Sequence, residues 1–200
     1  MATVHIIDDE DTIRDALGFL FASRGIAAEG WASGEAFLAA FPPADCACII
    51  LDVRMQGLSG PEVFDRLRAH GTDVPVIFLT GHADVPVAVS ALKSGAFDFV
   101  EKPFNDNQIV DLALAAIARH AERLALAKGE DDIARRRASL SAREAEVMDL
   151  MVRGLMNKQI AATLGIAMRT VEVHRGRVLA KMGARNAAEL ASLTARPTQG

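Results

Sequence analysis

Tyrosine is absent from this 200-residue sequence and cysteine occurs only twice. Without tyrosine, the chain offers no phenolic hydroxyl. The two cysteines, Cys46 and Cys48, form a C-x-C pair of a kind that can bind metal or sense redox, but no second Cys or His pair accompanies it. Two positions apart on a strand, they are expected to share a face and pack quietly. No apolar run approaches membrane-spanning length, and the opening residues lack a basic stretch followed by an apolar one, so a cytoplasmic protein with no membrane partner is expected. Internal repeats and low-complexity tracts are also missing.

What remains is ordinary globular composition, 50% hydrophobic and 24% charged. The length allows one large domain or two small ones. Charge favours two. Residues 1–120 carry 17 acidic and 8 basic side chains, a net −9, whereas residues 121–200 carry 9 and 14, a net +5. The basic back half is the better suited to nucleic acid.

The front half alternates short apolar runs with helix-like stretches, the pattern of a parallel sheet covered by helices. The candidate strands are Val4–Ile7, Ala27–Trp31, Cys48–Leu51, Val76–Leu79 and Phe97–Val100. Ser59-Gly60-Pro61-Glu62 reads as a capping box with proline in the first turn, and Gly95 as the end of a helix begun near Asp84. A fifth helix starts at Asn105 and Gln108. Residues 128–139 are charged without an apolar face, so 123–139 is expected to be an exposed linker, helical in part. From Leu140 everything reads helical. The expected plan is an α/β domain over residues 1–122, the linker, and a small all-α domain over 140–200.

In an open parallel sheet, ligands bind beyond the carboxyl ends of the strands. Four of the five strands run into a reactive side chain there: Asp8 and Asp9 after the first, Asp52 after the third, Thr80 after the fourth, Lys102 after the fifth. Crowded carboxylates repel unless a cation holds them, and hard oxygen ligands with room for water suit Mg²⁺. One carboxylate can then attack a phosphoryl donor and form an acyl phosphate. The Lys102 ammonium meets the charge developing on the phosphoryl oxygens, and Thr80 offers a hydroxyl.

Asp8-Asp9, Asp52, Thr80-Gly81-His82 and Glu101-Lys102-Pro103-Phe104 resemble the signature of response-regulator receivers over residues 3–122. Thr80 through Pro86 and Ala96-Phe97-Asp98-Phe99 resemble the FixJ-type subgroup. The resemblance implies a flavodoxin-like five-stranded parallel sheet with Asp52 as phosphoacceptor. It further implies Mg²⁺ held by Asp8, Asp9, Asp52 and the Arg54 backbone carbonyl, and a cis Lys102–Pro103 bond that places the ammonium at the site. Thr80 and Phe99 are the implied switch residues. Gln56 stands where the family commonly has proline, and Phe99 where it often has tyrosine.

In the back half, Asn157–Gly165 and Met168–Met182 read as helix-turn-helix. At 100° per residue the second helix turns Val171, Val178 and Met182 inward and presents Arg169, Glu172, Val173, Gly176, Arg177 and Ala180 outward. In a major groove Val173 can meet a thymine methyl, Glu172 a cytosine amine, and Arg169 and Arg177 guanine or phosphate. Arg175, Lys181 and Lys158 lie on the flanks, suited to phosphate. Leu140-Ser141-x-Arg143-Glu144, Asn157-Lys158-x-Ile160-Ala161, Arg169-Thr170-Val171-Glu172-Val173-His174-Arg175 and Lys181-Met182-Gly183 resemble the LuxR/FixJ DNA-binding domain over residues 138–195. The resemblance places Thr170 in the same interface. Ala167 departs from the Ser or Thr usual as cap of the recognition helix.

The reading that joins these parts is a transcription factor switched by phosphorylation, expected to be an activator. A sensor histidine kinase phosphorylates Asp52, Phe99 swings inward, and the surface over Asp84–Val100, with Val85, Pro86, Val87 and Ala88, becomes a homodimer interface. Double-stranded promoter DNA is the target, with RNA polymerase a further partner. Beyond self-catalysed phosphotransfer and dephosphorylation, no enzyme activity is expected. Two other readings are a DNA-binding regulator indifferent to phosphate and a Mg²⁺-dependent aspartyl-phosphate enzyme.

Overall fold

The computed structural model describes residues 2–41, 43, 45–81 and 84–195, without the side chains of Val85 and Ala88. His82, Ala83 and the side chains of Val85 and Ala88, all part of the motifs above, therefore lie outside the described residues. The chain divides into two compact units, Met1–Leu124 and Ala125–Gly200.

The first unit is built on strands β1 (Thr3–Ile7), β2 (Ala27–Trp31), β3 (Cys46–Asp52), β4 (Val76–Thr80) and β5 (Asp98–Glu101), all parallel in the order β2-β1-β3-β4-β5. That is the flavodoxin-like order. The central strands are apolar on both faces because both are covered. Ile6, Cys48, Ile50, Ile77 and Leu79 join one core with Leu17 and Phe21 of α1 (Asp11–Ser23) and with Ile109 and Ala113 of α5 (Asp106–Ala138). The alternate residues Ile7, Ile49, Leu51, Val76 and Phe78 join a second core. There they meet Phe37 of α2 (Gly34–Ala40), Phe64 of α3 (Gly60–Ala69) and Ala91 of α4 (Val85–Lys93). Burying each such large side chain contributes about 1.5–3 kcal/mol.

One expectation about this sheet fails. Cys46 packs against the second core and Cys48 belongs to the first, so they face opposite sides. The register shifts between Thr3 and Val4, which pair with Cys46 and Cys48 respectively. This bulge inserts Ala47 and breaks the two-residue period. Both thiols are free, and burial pushes Cys46 up to about 12 and Cys48 higher still, so neither is a ready thiolate.

The second unit packs α6 (Ala142–Val152), α7 (Asn157–Leu164), α8 (Met168–Met182) and α9 (Ala187–Thr194) around Val147, Met148, Met151, Ile160, Val171, Val178, Met182 and Leu190. Ser141 and Glu144 form a reciprocal capping box at the start of α6. Gly165 ends α7 and Gly183 ends α8, both left-handed, at φ 64° and 69°. Residues 125–138, part of the expected linker, are the helical end of α5 and cluster with this unit. Ile133 packs against its core, Arg136 donates to the Met182 carbonyl at 2.9 Å, and Arg137 pairs with Asp149 at 3.4 Å. No helix among the described residues is long and apolar enough to cross a membrane.

Candidate functional site

At the carboxyl ends of β1, β3 and β5 three charged groups converge. Lys102 Nζ lies 2.8 Å from Asp8 Oδ2 and 2.8 Å from Asp52 Oδ1, with Glu10 Oε1 at 3.6 Å. Asp8 is fully buried and Asp52 nearly so, 5% exposed. Lys102 enters from the turn after β5, where the Lys102–Pro103 peptide is cis. The chain thus brings two carboxylates and one ammonium together from positions almost a hundred residues apart.

The surrounding loops are tied to the same groups. The Arg54 N–H donates to Asp52 Oδ2 at 2.8 Å, and the Gln56 N–H to Asp9 Oδ2 at 3.0 Å. Glu10 N–H donates to Asp8 Oδ1 at 2.9 Å. Gly60, at the start of α3, packs so closely on Asp52 that an added Cβ would collide with its carbonyl oxygen. Asp9, in the β1–α1 loop, thus faces the β3–α3 loop through the Gln56 N–H, and among the described residues it has no ion pair with Lys102. Thr80 is fully buried, and its hydroxyl donates to the neighbouring Gly81 carbonyl at 3.0 Å. Phe99 is half-buried against the core that holds Phe78, its partner in register. Arg54 contributes its side chain as well as its backbone. Its guanidinium pairs with the buried Asp84 at 2.6 Å, linking the loop after β3 to the start of α4. Opposite charges 30 positions apart carry no local signal of such a pair.

Burial raises the Asp52 carboxyl above its ordinary value, and nearby Asp8 adds to this, while hydrogen bonding and attraction from Lys102 and the Arg54 N–H oppose it. Burial works against the Lys102 ammonium, but Asp52 and Asp8 outweigh it and raise its value, so it stays charged. Among the described residues no three His, Cys, Asp or Glu side chains gather into a metal cage. The donors present are nevertheless all oxygen, and each carboxylate oxygen keeps a lone pair beyond the hydrogen bond it accepts. Carboxylate and carbonyl oxygens with room for water suit a hard cation such as Mg²⁺.

The second unit presents one mixed face. Val171, Val178 and Met182 are the buried residues of α8. Arg169, Thr170, Glu172, Val173, Gly176, Arg177 and Ala180 are exposed, Arg175 is half-buried, and Lys158 on α7 is exposed. Val173 is 50% exposed, an apolar group left in water beside two arginines. An added Cβ at Gly176 would meet no atom within 4 Å, so the protein's own packing does not require glycine there. Lys181 is engaged within the unit: its ammonium lies 2.6 Å from Glu144 Oε2 and 3.0 Å from the Ser139 carbonyl. Ala167 occupies the N-cap of α8 without a side-chain cap.

A five-stranded parallel sheet with paired aspartates and a lysine at its carboxyl end, followed by a helix-turn-helix unit, defines a class. The chain belongs to the response regulators: residues 4–114 match the response regulator receiver domain family, and residues 138–194 match the family of bacterial regulatory proteins of luxR type. Within that class its relatives are of FixJ and DctR type. It is 70% identical over 194 residues to the C4-dicarboxylate transport transcriptional regulatory protein DctR of Rhodobacter capsulatus, covering 96% of this chain and 98% of that one. It is 47% identical to the transcriptional regulatory protein FixJ of Azorhizobium caulinodans, covering 94% and 89%. Among solved structures, the response regulator StyR superposes with a TM-score of 0.89 at 38% identity, covering 96% of this chain and 97% of that chain. The protein is a two-component response regulator with a receiver and a LuxR-type DNA-binding domain; its partners are accordingly a sensor kinase and DNA.

Proposed function

We propose that Asp52 is the phosphoacceptor and that its phosphorylation by a sensor histidine kinase switches DNA binding by α8. The observation that carries this is the Lys102 ammonium at 2.8 Å from both Asp8 and Asp52. A carboxylate oxygen of Asp52 attacks phosphorus as the bond to the donor breaks, and Lys102 compensates the charge arriving on the phosphoryl oxygens. Asp8, Asp9, Asp52 and the Arg54 carbonyl would hold Mg²⁺, which would supply neutralising charge for the carboxylates and the phosphoryl oxygens. Thr80 turns its hydroxyl from Gly81 to a phosphoryl oxygen, and Phe99 moves further into the core. The surface from Asp84 to Val100, where Val87 and Val89 are 39% and 40% exposed, becomes the homodimer interface.

Arg169, Thr170, Glu172, Val173, Gly176 and Arg177 face the major groove, with Lys158 and Arg175 on phosphates. Lys181, held by Glu144, acts from the rim. The protein works in the cytoplasm as an activator that meets RNA polymerase at the promoter. The 70% identity to DctR supports control of genes for C4-dicarboxylate transport.

The test combines acetyl phosphate and Mg²⁺ with intact-mass analysis, light scattering and promoter binding, for wild type and Asp52→Asn. One phosphoryl group, dimerisation and tighter promoter binding in wild type alone is the expected result. Equal promoter binding by Asp52→Asn and phosphorylated wild type overturns the switch.

A further inference from the structure

The opposite end of the sheet, where β4 and β5 begin, holds a cavity of about 240 Å³ with a different chemistry. Its wall combines Arg68 at the end of α3, Arg119, His120 and Arg123 from α5, and Phe97 just before β5; Asp73 is the one acid lining it among the described residues. Asp73 pairs with Arg123. Arg68 donates to the Gly95 carbonyl, and Arg119 lies 5.9 Å from the centre of the Phe97 ring. Neither Arg68 nor Arg119 has an acidic partner among the described residues. His120 is only 9% exposed, and its Nδ1 is buried without a hydrogen-bond partner.

Three guanidinium groups around one carboxylate leave a concave surface with excess positive charge and many unused donors. Guanidinium forks match carboxylates in two parallel hydrogen bonds. Phe97 offers an apolar face for a short carbon chain. The volume is ample for several waters, and so for a small diacid.

We infer that this cavity binds a small dicarboxylate, with one carboxylate on Arg68 and Arg119 and the other displacing Asp73 from Arg123. The preference for a dicarboxylate over other dianions rests on the transport-gene reading above; the anion-binding chemistry does not. The site is built from the amino ends of the strands, so it is separate from the acidic cluster at their carboxyl ends.

Calorimetric titration of the full-length protein, without phosphodonor, tests this with succinate, acetate and inorganic phosphate. Saturable binding of one succinate per chain is expected, with acetate and phosphate weaker. Arg119→Gln, an exposed position, is expected to weaken succinate by about tenfold or more, the scale of one lost charge-assisted pair. Asp73→Asn is expected to tighten it by freeing Arg123, a gain that mere disturbance of the fold would not give. Absence of saturable succinate binding, an unchanged Arg119→Gln affinity, or phosphate binding as tightly as succinate overturns the inference. Succinate binding without occupancy of any dicarboxylate-transport promoter overturns the gene assignment and leaves the cavity standing.

Discussion

Lys181 Nζ lies 2.6 Å from Glu144 Oε2, an ion pair that fastens the last turn of α8 to the first turn of α6. Glu144 is 4% exposed, and it also caps the Ser141 N–H at 2.8 Å. The hydrogen bond from Lys181, with the Ser141 cap, holds its carboxyl down at about 2, against an ordinary 4.5. A carboxyl depressed by folding contributes stability that is fully present above its unfolded value and is lost as pH falls through the folded one. The melting temperature of the second unit in Glu144→Gln is therefore expected below wild type at neutral pH. The difference should narrow from pH 4.5 towards 2; thermal melts across that range check it, and a constant gap would deny the pair its role.

Legibility differed by element. β1, β3 and β4 were visible because their apolar runs are largely buried, β2 and β5 from short apolar runs that are more exposed, and each observed strand lies within two residues of its expected bounds. The strand-end residues Asp8, Asp52 and Lys102 were legible for the same reason: strand ends in a parallel sheet share one edge. What escaped was held by partners distant in sequence. The end of α5 has little apolar face, and it is fastened by Ile133, Arg136 and Arg137 to residues that no local pattern connects with it. Lys181, on the flank of α8, also bridges to Glu144 of α6, a pairing that no local pattern reveals.

Ala167 caps α8 with extended backbone, φ −65° and ψ 144°, and leaves the first-turn N–H groups without a side-chain acceptor. That backbone already suits serine. Ala167→Ser is expected to stabilise the second unit by about 0.5–2 kcal/mol. Urea unfolding followed by helical circular dichroism measures this. No change in midpoint would mean that the serine hydroxyl does not reach the helix.

The acidic cluster trades stability for chemistry. Burial, with Asp8 beside it, raises the Asp52 carboxyl above 3.8 in the folded state. A carboxyl raised by folding weakens the fold as pH climbs through that interval, and the deficit persists at neutral pH. In EDTA at pH 7, Asp52→Asn is expected to melt above wild type, with the two converging below pH 3.8. Adding Mg²⁺ is expected to raise the wild-type melting temperature more than that of the variant, because a cation bound only by the folded site stabilises it. A variant that melts lower than wild type in EDTA would contradict the balance of terms at Asp52.

Gly176 separates folding from recognition. It lies within α8, exposed, with nothing within 4 Å of where a Cβ would stand. Glycine inside a helix costs about 0.5–1 kcal/mol relative to alanine, so packing and propensity both favour replacement. The reading of α8 as the groove-facing helix supplies the opposing demand, since bare backbone beside Val173 and Arg177 allows close approach to DNA. Gly176→Ala is expected to raise the melting temperature while weakening promoter binding, and Gly176→Val to weaken it further. Arg177→Ala serves as the comparison, because it removes a cation without adding bulk: its deficit should depend on salt, whereas that of Gly176→Ala should not. Full promoter affinity in Gly176→Ala would mean that this turn of α8 stands clear of the groove.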